Sequence, residues 1–468
     1  MAAKLPIPLA KLVSCKSHVV PGQLLVTEYY FEVPLDYANP DGQKIQLFAR
    51  GATKNEKPIV PSDEAPTPRP WLVFLQGGPG HGCPQPQDFS LTRQVISRGY
   101  QILYLDHRGT GQSTPVSARM LQQLPGGVDG QVNYLRLMRQ DNTVRDNEAV
   151  RKYLTQGLSE EKARWSTFGQ SYGGFVNLTY LSMHPEGLRE VFFTGGLAPI
   201  GKSADQVYET TFGRVANRSA QYYTKFPEDV ENLHQIATYI EGQGGSIPMP
   251  GGGKLTVPRL LTMGIAFGVH NGFDMVHGIV LRLKSNLDQL GFIDRSVLTS
   301  LESFTDFDAA IIYAVLHEAI YCDGPGVASN WAAQRVGQRL DNYFWLQPGA
   351  KTATYDKPLY FSGEMIFPLH FETYPELQVL SEVADKLAKI SDWAPLYDKA
   401  QLAENKVPCY AASYVDDMFV DYNYANDTAN LVKGTKVFAI NTFYHNAVRA
   451  KGEEVFQQLM ALRDDVID

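Results

Sequence analysis

The stretch Arg164-Trp165-Ser166-Thr167-Phe168-Gly169-Gln170-Ser171-Tyr172-Gly173-Gly174 constrains the fold more than any other part of the chain. A serine stands between glycines at 169 and 173, after a β-prone run and before the apolar, helix-prone run Phe175–Met183. A turn this sharp leaves no room for side chains beside the serine. The flanking positions are therefore glycine, and the hydroxyl points out of the end of a strand. Such a strand–turn–helix unit belongs in a parallel sheet and marks Ser171 as a candidate nucleophile.

The surrounding pattern agrees. WLVFLQGGPG (71–80) and YQILYLDHRGTGQS (100–113) are apolar runs ending in glycines, as expected for strands buried on both faces of a parallel sheet. A polar-faced helical stretch, about 131–157, separates them from the serine turn. LLVTEYYFEVPLDY (24–37) and KIQLFARGA (44–52) flank a turn and predict a hairpin, and a polar, proline-rich loop follows at 53–70. After Pro199 the pattern is mostly helical to about 350, broken by the Gly/Pro segment 241–254. Strand-like runs return at 357–367, 407–415 and 435–441. The expectation is an α/β fold in which core parts 1–198 and 355–468 enclose a largely helical insertion, 199–354.

A serine hydroxyl needs a base, and its transition state needs donors for a developing oxyanion. Gln76-Gly77-Gly78-Pro79-Gly80 ends an earlier strand, so the Gly78 N–H can pair with that of Tyr172 as the oxyanion site. In folds with this serine turn, the acid and histidine follow the serine in that order. Of ten histidines only His445 lies beyond residue 370, just after the strand-like run 435–441. After the preceding run stand Asp416, Asp417 and Asp421, any of which could be the acid.

The bulk composition narrows the partners. With 44% hydrophobic and 20% charged residues the chain reads as a soluble globular protein, and its net charge of −8 argues against nucleic acid or an anionic membrane. No apolar run is long enough for a signal peptide or a membrane span, and the four cysteines form no CxxC pair. The expected setting is reducing and cytoplasmic.

LQGGPG, LDHRGTGQS, GQSYGGF, YVDDM and YHNAVR together resemble the prolyl aminopeptidases (proline iminopeptidases), α/β-hydrolase serine peptidases that remove N-terminal proline. The resemblance runs from about residue 25 to the C-terminus. It implies an α/β-hydrolase fold with a helical cap, a triad of Ser171, Asp417 and His445, and oxyanion donors Gly78 and Tyr172. Asp417 is chosen because the family's acid directly precedes a residue like Met418. Gln76 departs from the pattern, since the family commonly has His there. Expected substrates are peptides with a free N-terminus.

Two carboxylates sit oddly in apolar runs: Glu318 in FDAAIIYAVLHEAIYCDG (307–324) and Glu364 in PLYFSGEMIFPLHF (358–371). A buried carboxylate needs a partner, either an internal cation or the α-ammonium of a substrate. The family uses carboxylates of the helical insertion for the substrate's amine, which makes both residues candidate substrate-binding groups. His317-Glu318-Ala319-Ile320-Tyr321 is no zinc motif, because Tyr321 stands where the second histidine belongs. No metal or other cofactor is expected. The rival readings are another esterase or amidase of the same fold, a broader aminopeptidase, and a non-catalytic scaffold.

Overall fold

The computed structural model describes residues 5–56, 69–352 and 355–465. Most of the proline-rich loop expected at 53–70, and the residues at the expected boundary near 354, lie outside them.

The β-prone runs form one twisted sheet of nine strands. It uses β1 (Lys11–Val20), β2 (Leu24–Pro34), β3 (Lys44–Lys54), β4 (Trp71–Leu75), β5 (Gln101–Leu105), β6 (Trp165–Gln170) and β7 (Leu188–Thr194). A two-stranded ribbon, β8 (Ile247–Pro248) and β9 (Lys254–Leu255), stands apart, and β10 (Cys409–Tyr414) and β11 (Thr435–Ile440) complete the large sheet. The order is β1-β2-β3-β5-β4-β6-β7-β10-β11, antiparallel from β1 to β5 and parallel from there on. Strands β4, β6 and β10 are buried along nearly their whole length: β4 is apolar throughout, while β6 and β10 also bury small polar residues such as Ser166, Thr167 and Ser413.

Among the described residues between β7 and β10 none adds a strand to this sheet. The chain forms helices instead, among them Ala204–Lys225, Asp229–Gly242 and Gly272–Leu290. The run 357–367, expected to be a strand, is an irregular segment buried under these helices, with Leu359, Phe361, Met365, Ile366 and Phe367 in the core. Its polar backbone is satisfied from outside any ladder. Tyr223 and Trp345 donate to the carbonyls of Leu359 and Tyr360, and the Ser362 N–H donates to the Leu261 carbonyl. An apolar run alone does not distinguish this arrangement from a strand.

The LDHRGTGQS motif anchors the turn after β5. The Arg108 guanidinium is wholly buried and binds Asp146 through two hydrogen bonds, of 2.7 and 2.6 Å, while also donating to the carbonyls of Leu35 and Leu137. Tyr37 donates to the same carboxylate at 2.8 Å. Removing one member strands the other charge in the interior. Asp146→Ala is therefore expected to destabilise the protein by about 3–5 kcal/mol, measured by chemical denaturation; a loss below about 1 kcal/mol would show that water reaches the pair.

Candidate active site

Strand β6 ends at Gln170, and the next residue begins the turn into the helix Tyr172–Met183. Ser171 has φ 54° and ψ −125°, a strained conformation for a residue with a side chain. The surrounding backbone holds it there: the Ser171 N–H donates to the Thr194 carbonyl of β7, and its own carbonyl accepts from the Gly174 N–H. The close approach explains the motif. A Cβ on Gly173 would lie 1.9 Å from the carbonyl oxygen of Leu75, at the end of β4.

The returning strands bring the other two groups. Asp417 follows β10 and His445 follows β11. His445 Nε2 is 2.8 Å from the Ser171 hydroxyl, and Nδ1 is 2.7 Å from Asp417 Oδ2. The second Asp417 oxygen accepts from the N–H groups of Phe419 and Val420, which fixes the carboxylate. The Phe419 ring stands edge-on to the imidazole, with centroids 4.8 Å apart. Burial pushes the His445 pKa down. The Asp417 carboxylate, helped by Glu364, outweighs this and holds it above the ordinary imidazole value. The other two acid candidates lie elsewhere. Asp416 is exposed, and Asp421 caps the helix Tyr422–Leu431 and pairs with Arg214.

The glycine loop after β4 reaches the serine. A Cβ on Gly77 would lie 3.0 Å from the Ser171 Cβ, and Gly78 lines the same cavity. Among the described residues the N–H groups of Gly78 and Tyr172 take no part in a hydrogen bond. The sequence reading missed what braces this loop. His107 meets the Gln76 carbonyl at 3.0 Å through Nε2, and burial lowers its pKa to about 4, so it is neutral and donates. Asp106 accepts from the N–H groups of Cys83 and Gln112, tying both glycine turns together. The signal was present in the DHRG motif, but the sequence does not show which partners it meets.

The cavity at the serine measures about 410 Å³ and is lined by Gly78, Ser171, Ile265, Tyr313, Glu364, Phe419, His445 and Arg449, among others. Glu364 is thus brought to the site, with its side chain only 12% exposed. It accepts from the Tyr321 hydroxyl at 3.5 Å and lies 3.9 Å from His317 Nε2. Burial lowers the His317 pKa to about 3, so this imidazole is neutral and does not compensate the carboxylate. No lysine or arginine pairs with Glu364 among the described residues. Burial, opposed by His445 and reinforced by Asp417, pushes its pKa up to about 7.

Residues 70–240 match the alpha/beta hydrolase fold family. The proline iminopeptidase aneH of Aspergillus aculeatus is 38% identical over 468 residues, covering all of both chains. The proline iminopeptidase of Aeromonas sobria is 37% identical over 442 residues, covering 93% of this chain and 96% of its own. The chain belongs to the proline iminopeptidase family.

Within this proline iminopeptidase framework, Glu318 does not reach the cavity. It sits in the turn Glu318–Tyr321, and its two carboxylate oxygens accept from the N–H groups of Ala332 and Ala333, at 3.2 and 2.9 Å. These are the free donors at the start of the helix Ala332–Gly337, so the carboxylate already has its partners. Glu318→Gln keeps the shape but can accept properly from only one of the two. A stability loss of about 1–3 kcal/mol is expected, read as a lower Tm. A change in selectivity between amine-bearing and uncharged substrates, without a change in Tm, would return Glu318 to substrate binding.

Proposed function

We propose that the protein is a serine aminopeptidase that releases the N-terminal residue of peptides, preferentially proline, through an acyl-enzyme. The observation that carries this reading is Glu364, a buried carboxylate with no cationic partner among the described residues, in the same cavity as the Ser171–His445–Asp417 array. A site built only for ester hydrolysis gains nothing from such a group. A substrate's α-ammonium supplies the missing charge, and Glu364 measures the chain's end. Tyr313, Ile265 and Phe419 offer an apolar lining that suits a pyrrolidine ring. The helical insertion, 199–354, acts in this reading as a cap, contributing Ile265 and Tyr313.

The chemistry follows from the distances. His445 Nε2 takes the Ser171 proton as Oγ attacks the first carbonyl carbon. Asp417 holds Nδ1–H and stabilises the imidazolium. The Gly78 and Tyr172 N–H groups receive the oxyanion, in a site where burial strengthens each hydrogen bond. The tetrahedral intermediate collapses, His445 returns the proton to the leaving amine, and the shortened peptide departs. Water, deprotonated by His445, then attacks the prolyl ester and frees Ser171.

Ser171→Ala and His445→Ala are expected to lower kcat for H-Pro-arylamide by about 10³-fold or more in folded protein, and near-normal turnover in either would sink the assignment. Asp417→Asn should be far more damaging than Asp416→Asn. Glu364→Gln should reduce kcat/KM for H-Pro-arylamide by about 10²-fold while p-nitrophenyl acetate hydrolysis falls far less. Equal losses on both substrates would favour a plain esterase or amidase.

The pH profile carries a second test. At low pH both Glu364 and His445 are protonated, the first unable to bind an ammonium and the second unable to act as base. Glu364 loses its proton as pH rises through about 7, and His445 loses its own above the ordinary imidazole value, where Asp417 holds it, so log kcat/KM should climb with a slope approaching two where the two steps overlap. In the complex the ammonium holds Glu364 ionised, so kcat should climb with the single slope of His445. Identical single slopes in both profiles would remove Glu364 from substrate binding.

A further inference from the structure

The cavity holds a second charged group that the hydrolytic steps leave unused. Arg449 lies on the segment after His445, four residues on, and lines the cavity with Gln76, Gly77, Gly78 and His81. Its Nη2 donates to the Gln76 side-chain oxygen at 3.2 Å, and its guanidinium leans over the Phe89 ring at 5.6 Å. Both partners are neutral. Among the described residues no carboxylate stands within ion-pair distance of it. Arg108, Arg214 and Arg463 differ, for each is matched to an acid (Asp146, Asp421 and Glu190). This cavity-lining arginine, exposed to solvent, makes one side-chain hydrogen bond among the described residues and so keeps further N–H donors for a ligand.

The two charges of the cavity have separate surroundings. Glu364 stands with Tyr321 and His317 of the helical segment, whereas Arg449 stands with Gln76, at the root of the glycine loop that supports the oxyanion. If the N-terminal ammonium is at Glu364 and the scissile carbonyl at Ser171, the chain beyond the cleaved bond runs toward the loop and Arg449. We propose that Arg449 binds a carboxylate on the residue that leaves, so that the enzyme favours dipeptides, whose α-carboxylate falls at that position. The inference rests on the aminopeptidase reading. It also gives Gln76 a purpose: its side-chain oxygen accepts from the guanidinium and orients it, which a protonated histidine in that place could not do.

The carboxylate could come from the chain's end or from an acidic side chain, and three substrates separate these sources: H-Pro-Gly-OH, H-Pro-Gly-NH2 and H-Pro-Glu-NH2. Wild-type kcat/KM is expected to be about 10-fold or more higher for the free acid than for H-Pro-Gly-NH2, with the advantage shrinking as salt is added. Arg449→Gln should bring the acid-to-amide ratio close to one, and Arg449→Lys should keep part of it. H-Pro-Glu-NH2 behaving like the free acid would assign the site to any nearby carboxylate. Behaviour like H-Pro-Gly-NH2 would assign it to the chain terminus. Equal wild-type rates for acid and amide, or a ratio unchanged in Arg449→Gln, overturns the proposal while leaving the aminopeptidase reading intact. Failure to cleave any of the three overturns both. If the glutamine variant does not fold, Arg449→Lys carries the test: its acid-to-amide ratio should fall below that of the wild type, and an unchanged ratio overturns the proposal.

Discussion

The structure depends on one strained residue. Ser171 keeps its left-handed conformation because the ends of two neighbouring strands and of its own close in around it: Leu75 of β4 against Gly173, Thr194 of β7 accepting its N–H, and Gln170 of β6 against Gly77. The strain, of order 1–3 kcal/mol, is held by the central strands of the sheet, which are buried on both faces. The hydroxyl is thereby presented above the strand ends, where the helix N-terminus and the glycine loop can serve as donors. Every other part of the site is placed relative to that point.

Electrostatically, the cavity is unfinished. Asp417 is compensated by two backbone N–H groups and the imidazole, and Arg108 and Asp146 compensate each other. Among the described residues Glu364 has a phenol at 3.5 Å and a neutral imidazole at 3.9 Å, with His445 as the cationic influence on it, and burial carries its pKa up to about 7. In the proposed aminopeptidase reading a cationic ligand completes the charge balance and, by neutralising Glu364, favours the neutral form of His445, because the two groups feel each other's charge.

Much of this was legible in the sequence, for reasons that can be stated. The serine turn needs glycine for steric reasons, so it leaves a mark in the residues. The order of serine, acid and histidine is set by topology, so His445 followed from its position. Choosing among Asp416, Asp417 and Asp421 needed the family pattern, because all three follow the same strand and differ only in direction. Glu318 and Glu364 looked alike in sequence, each a lone acid in an apolar run. What separates them is a contact with a helix start about 14 residues away in one case and an open cavity in the other, and neither is local. The run 357–367 was apolar enough for a strand, and its irregular path depends on side chains from distant helices.

The pairing of β7 with β10 joins residues 191–194 to 409–412. On a ribosome, the edge of β7 therefore emerges more than two hundred residues before the strand that covers it. During that interval a buried-type strand, Leu188–Thr194, presents an open ladder, and Ser171 lacks the imidazole that meets its hydroxyl in the finished fold. Synthesis of residues 409–445 closes the edge and brings Asp417 and His445 to Ser171 together, so covering β7 and assembling the hydrogen-bonded array are one event.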